Sequence, residues 1–175
     1  PRGKKIFYAE GRSMIYFLLV ITFVFTDQLL KEIIVRTLPL CVPGHCESIE
    51  LVSFFKLTLL HNSGAAFSFL ADAGGWQRWF LVSISSFVSL VITIWLYRIR
   101  QSFNLLALAL SFILGGALGN LVDRISQGYV VDFFVIFYHP YYFPAFNIAD
   151  FLISLGALLM VLDMLVNKEG ASENE

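Results

Sequence analysis

The sequence predicts an all-α polytopic membrane protein: four transmembrane helices with a small extracytoplasmic β-rich cradle and a short interfacial helix. Three observations carry that expectation. Hydrophobic residues make up 58% of the 175 and charged residues only 14%, a composition outside that of ordinary soluble domains. The apolar residues gather in four runs, at about 13–30, 79–97, 103–122 and 146–166, each near the ~20 residues a helix needs to cross hydrocarbon at 1.5 Å per residue. Between the first two runs, roughly residues 37–78 are more polar and hold helix-breaking Pro39, Pro43 and Gly44. The whole chain, 1–175, reads as one membrane-embedded domain. A net charge of -1, with the charges clustered at the ends and in one middle segment, points to no nucleic-acid partner.

The first run follows a basic segment with Arg2, Lys4, Lys5 and Arg12 and is apolar except for Asp27. Asp27 and Lys31 are four apart, share a helix face and can pair, which lowers the cost of a carboxylate at the bilayer rim. Their charges also argue against a cleavable leader, which needs small residues there. The loop at 37–48 contains Cys41 and Cys46, whose pairing the spacing leaves open. Residues 49–60 are rich in Val, Phe, Leu and Thr with patches of alternation, so they read as strand. His61, Asn62, Ser63 and Gly64 supply turn chemistry. Residues 65–79 mix Phe67, Phe69, Leu70, Trp76 and Trp79 with Asp72, Gln77 and Arg78 and read as an interfacial helix. The second run ends at Arg98 and Arg100, the third at Asp123 and Arg124. Residues 125–143 read as an interfacial loop or short strand, and the fourth run leads to an acidic tail.

With four spans, both termini and the turn at 98–102 share one side, which holds Arg2, Lys4, Lys5, Arg12, Arg98, Arg100 and Lys168 in few positions. The other side has Lys31, Arg36, Lys56, Arg78 and Arg124 over more than twice the length. By the positive-inside bias the termini are cytoplasmic. Asp123 and Asp150 then both lie at the outer rim. Charged groups there are functional candidates by default, and two carboxylates on antiparallel helices can share one proton and act as acid and base. Asp150 stands at the positive end of its helix and Asp123 at a negative end, so Asp150 is expected to be the more acidic and Asp123 to hold the proton. Gly115 and Gly119, spaced as GxxxG, suit close helix packing.

Five blocks, DQLLK from Asp27, NSGAAFSF from Asn62, GGALGNLVDR from Gly115, GYVVDF from Gly128 and FNIAD from Phe146, resemble in order and spacing those of the lipoprotein signal peptidases, signal peptidase II. The resemblance implies an intramembrane aspartic endopeptidase of the bacterial inner membrane; a monomer is the separate expectation. Its substrate is a prolipoprotein whose cysteine carries diacylglycerol, cut on the N-terminal side of that cysteine. Carried over, the resemblance makes Asp123 and Asp150 the catalytic pair. Asn62, Gly64, Asn120, Arg124, Asn147 and Ala149 line or brace the site, Asp27 and Lys31 tie the first span to it, and Asp132 anchors its loop or supports the site. No metal or other cofactor is implied, and membrane lipid is the surrounding partner. A serine protease built on Ser63 lacks a nucleophile motif on a span. The alternative function is a four-helix proton-coupled transporter, which also uses intramembrane carboxylates, although such carriers usually hold them near midplane.

Overall fold

Small residues on one helix decide how the others assemble. The computed structural model describes residues 2–64, 74–101 and 104–172. In chain order these form helix α1 (Arg2–Thr37), strands β1 (Ile49–Val52) and β2 (Phe55–Asn62), helices α2 (Trp76–Ile99) and α3 (Leu105–Ser126), strands β3 (Val130–Tyr138) and β4 (Tyr141–Tyr142), and helix α4 (Ile148–Ser172). α3 is the hub, with 56% of its apolar window buried inside the protein against 17% in α2 and in α4. A Cβ added at Gly115 would lie 2.8 Å from the Phe23 Cβ, and one at Gly119 would lie 2.6 Å from the Asp27 Oδ2. This i, i+4 pair therefore seats α1. One at Gly116 would collide with the carbonyl oxygen of Ala149 and approach Ile153, so the next face seats α4. The outward faces of α2 and α4 are exposed apolar side chains such as Phe87, Leu90, Leu158 and Leu162.

Three helical segments, Trp76–Ile99, Leu105–Ser126 and Ile148–Asn167, are long and apolar enough to cross a membrane. α1 has the length, with 36 residues. Its C-terminal half carries Asp27, Lys31, Glu32 and Arg36, so apolar content alone does not mark it as a span. The second expected run starts earlier than expected, with Trp76 and Trp79 inside the first turn of α2. Residues 65–73 of the expected interfacial helix lie outside the described residues.

The sheet is antiparallel in the order β1-β2-β3-β4. The stretch read as one strand is a hairpin, and the segment expected as a loop or short strand is the nine-residue β3. The run VVDFFVIF, apolar but for Asp132, hides period-two alternation because the first four residues of β3 are all buried. Leu60 pairs with Asp132 and Asn62 with Val130, and a bulge interrupts the ladder between Leu57 and Leu60. Ile34 of α1 and Leu38 just beyond it pack with Leu59, Val131 and Phe133, fixing the sheet on the end of the bundle. A Cys41–Cys46 disulfide closes the loop before β1, and the Cys41 N–H donates to the Leu59 carbonyl at 2.9 Å.

Candidate active site

The start of α4 is a reciprocal cap. Asn147 precedes the helix, and its Oδ1 accepts from the Asp150 N–H at 3.0 Å, while the Asp150 Oδ2 accepts from the Asn147 N–H at 3.2 Å. This Asn-x-x-Asp pair works as a capping box and places Asp150 at the positive end of the helix. The second residue of the helix, Ala149, donates its N–H to the Asp27 Oδ1 at 2.9 Å, so a carboxylate from α1 satisfies another open donor.

Behind this cap lies a buried charge cluster. Lys31 is 3% exposed and spends its three donors on the Asp27 Oδ2 at 2.7 Å, the Asp123 Oδ2 at 2.8 Å and the Asn120 Oδ1 at 3.1 Å. Asp123 also accepts from the Gln28 Nε2 at 2.8 Å and from the Val131 N–H at 3.1 Å. Both of its oxygens are thus held, by contacts that join α1, α3 and the start of β3.

Asp132 presents a different environment. It is buried on β3, with the Asn147 Nδ2 donating to its Oδ1 at 2.7 Å and the Asn62 Nδ2 donating to its Oδ2 at 3.0 Å. No cation pairs with it among the described residues. Burial first, and the facing charge of Asp150 second, push its pKa from 3.8 up to about 7. Asn120 donates its Nδ2 to the Asp150 Oδ1 at 2.8 Å. Asn147 and Asn120 therefore hold the two carboxylates in one network.

Asp132 and Asp150 open on a cavity of about 630 Å³ whose polar end also has Asn62, Asn120 and Arg124. The rest is apolar, with Leu81, Ile84 and Val88 of α2 facing Phe151 and Ile153 of α4. Arg124 reaches over this end, its Nη2 donating to the Gly64 carbonyl at 3.1 Å. The Gly64 N–H in turn donates to the Asn62 Oδ1 at 3.0 Å.

The structure thus brings together every residue expected at the site, but in a different grouping. Asp123, expected beside Asp150, is not among the residues lining the cavity. It faces Lys31 instead, at 2.8 Å. The carboxylate that shares the cavity with Asp150 is Asp132. A lone acid in an apolar strand run was the available signal. Gln28, inside DQLLK, was missed, and nothing in its spacing announces a contact 95 residues away.

A membrane-embedded helical bundle whose cavity carries two carboxylates in unlike environments is the equipment of an acid–base hydrolase. The family described as Signal peptidase (SPase) II matches residues 19–166. The chain belongs to the signal peptidase II family. Curated relatives include the lipoprotein signal peptidase of Ectopseudomonas mendocina, 45% identical over 160 residues, which are 90% of this chain and 92% of that one. The lipoprotein signal peptidase of Pseudoalteromonas atlantica is 46% identical over 168 residues, 96% of this chain and 98% of that one. A solved structure described as a bacterial membrane enzyme superposes with a TM-score of 0.77 at 29% identity, covering 89% of this chain and 90% of that one.

Proposed function

We propose that this protein removes the signal peptide from diacylglyceryl-modified bacterial prolipoproteins, cutting before the lipid-modified cysteine, with Asp132 and Asp150 as the acid–base pair. The observation that carries the pairing is that these two carboxylates line one cavity, one of them with a pKa raised to about 7. Two N–H donors and the positive end of α4 face Asp150, which takes the role of base. It accepts a proton as water adds to the scissile carbonyl carbon. Protonated Asp132 donates to the carbonyl oxygen. As the C–N bond breaks, the leaving nitrogen takes the proton from Asp150 and Asp132 recovers the one it gave. The pair titrates as a unit. Asp123, Asp27 and Lys31 brace the pair rather than react.

In this reading α1 is a fourth span and the chain is a single peptidase domain. It sits in the bacterial inner membrane as a monomer, with both termini cytoplasmic and the sheet and site at the outer face. The distribution of Lys and Arg supports that orientation. The family assignment is to a peptidase, and nothing in it supports a proton-coupled carrier.

The test is cleavage of a diacylglyceryl-modified prolipoprotein in detergent. Asp132→Asn and Asp150→Asn are each expected to lower turnover by about 10²–10⁴-fold. Asp123→Asn is expected to lower the unfolding temperature and to leave turnover per folded molecule far above that of the other two. Turnover surviving in Asp132→Asn but abolished in folded Asp123→Asn would overturn the pairing.

A further inference from the structure

The apolar part of the cavity carries a hydroxyl that the acid–base pair does not use. α2 meets the cavity through Leu81, Ile84, Ser85 and Val88, an i, i+3, i+4, i+7 stripe along one helix face. Of the serines of α2, Ser85 is the one that lines the cavity, while Ser83 and Ser86 are exposed and Ser89 is buried.

Elsewhere in the bundle, Thr93, Ser111 and Ser154 return their hydroxyl hydrogens to the carbonyl oxygen four residues earlier, at 2.7, 2.7 and 2.9 Å. Ser85 forms no such bond among the described residues. A donor left unpaired among apolar side chains costs free energy that a bound acceptor would recover. Ser154 also lines the cavity, but its single hydrogen is already given to the Asp150 carbonyl.

The depth of Ser85 follows from Arg78. Its Nε donates to the Arg124 carbonyl at 2.9 Å and its Nη2 to the Ile125 carbonyl at 2.7 Å, so the start of α2 stands beside the end of α3. Counting equal numbers of residues along these antiparallel helices, from Arg78 to Ser85 and from Arg124 back to Ala117, brings Ser85 level with Ala117, which lines the cavity too. Ala117 lies one helical turn, about 5 Å, beyond Asn120, whose Nδ2 holds Asp150. Ser85 therefore faces the cavity about one turn deeper than the carboxylates.

Two parts of the proposed substrate are apolar enough for that depth, the signal segment and the acyl chains. A helical signal segment pairs its own carbonyls and offers Ser85 no acceptor. The diacylglyceryl group carries ester carbonyls and no donor to pair with them. They hang a few bonds beyond the cysteine sulfur, and at about 1.5 Å per bond that chain spans a helical turn.

We infer that Ser85 donates its hydroxyl to an ester carbonyl of the diacylglyceryl group and so selects acyl esters on the substrate cysteine. This rests on the peptidase reading above and names the part of the substrate that this wall of the cavity recognises. The test compares two prolipoprotein peptides in detergent, one with the diacylglyceryl group and one with the dialkyl ether of equal chain length, which keeps the chains and lacks the carbonyls. For the unaltered protein, kcat/KM for the ester is expected to exceed that for the ether by about two- to tenfold, the span of one hydrogen bond. Ser85→Ala, a change that a helix accepts, should bring the ratio close to one by slowing the ester and leaving the ether alone. Ser85→Thr should keep the preference. An equal ester-to-ether ratio in the unaltered protein and in Ser85→Ala overturns the inference, as does a preference lost in Ser154→Ala but kept in Ser85→Ala. If the unaltered protein cleaves both peptides equally well, the ester contact alone falls. If it cleaves neither, the peptidase reading falls and the ester contact with it.

Discussion

Replacing Asp132 by asparagine, an isostere of the protonated carboxyl, removes a charge that burial disfavours. With its pKa raised from 3.8 to about 7, this residue holds a proton in the folded protein that the unfolded chain has already released. Between roughly pH 4 and 7 the unfolded state therefore binds fewer protons, so stability falls as pH rises and levels off above about 7. At 1.36 kcal/mol per pKa unit the loss amounts to about 4 kcal/mol once both states are ionised. Asp132→Asn carries no such loss. Thermal unfolding in detergent should give the two proteins similar midpoints near pH 4 and a widening gap above it. At about 2–4 °C per kcal/mol for a chain of this size, the variant should unfold about 8–16 °C higher at pH 8, while its turnover collapses. Midpoints separated by a constant offset across the pH range, or a variant less stable at pH 8, would refute the reasoning.

Three further outcomes follow from the same geometry. Asn62→Ala removes the donor 3.0 Å from the Asp132 Oδ2, a bond that lowers that residue's pKa, so the corresponding limb of the pH–rate profile should move to higher pH. Gly116→Ala drives a methyl group into the Ala149 carbonyl and Ile153, and should destabilise by about 1–3 kcal/mol, read as a lower unfolding temperature. Lys31→Met leaves Asp27 and Asp123 buried without their cation, which should cost about 3–5 kcal/mol, with part recovered when Asp123→Asn is added.

Much of the framework was legible because its signals are local. The apolar runs, the turn residues around Pro39 and Pro43, and the close-packing role of Gly115 and Gly119 follow from composition and helical spacing, and the structure shows the glycines seating α1. Asp150 was expected at the start of its helix, and there it closes a reciprocal cap with Asn147. The Asp27–Lys31 pair was readable from its i, i+4 spacing and is present at 2.7 Å. β3 was harder, because its buried apolar run lacks the alternation that identifies a half-exposed strand.

The grouping of the aspartates had no such local signal. Each is flanked by apolar residues and preceded or followed by plausible site residues. The sequence alone determined that several carboxylates sit at the ends of membrane-scale helices, that Asp27 can pair with Lys31 within its own helix, and, through its blocks, which family they belong to. Only the tertiary structure decided that Lys31, 92 residues before Asp123 in the chain, reaches it at 2.8 Å, and that Asp132 arrives on a strand to share a cavity with Asp150. The physical reason is that a carboxylate's chemistry depends on the charges and donors within a few ångströms and on its access to water. Those neighbours come from α1, α3, α4 and the sheet at once, and no spacing along one segment encodes them.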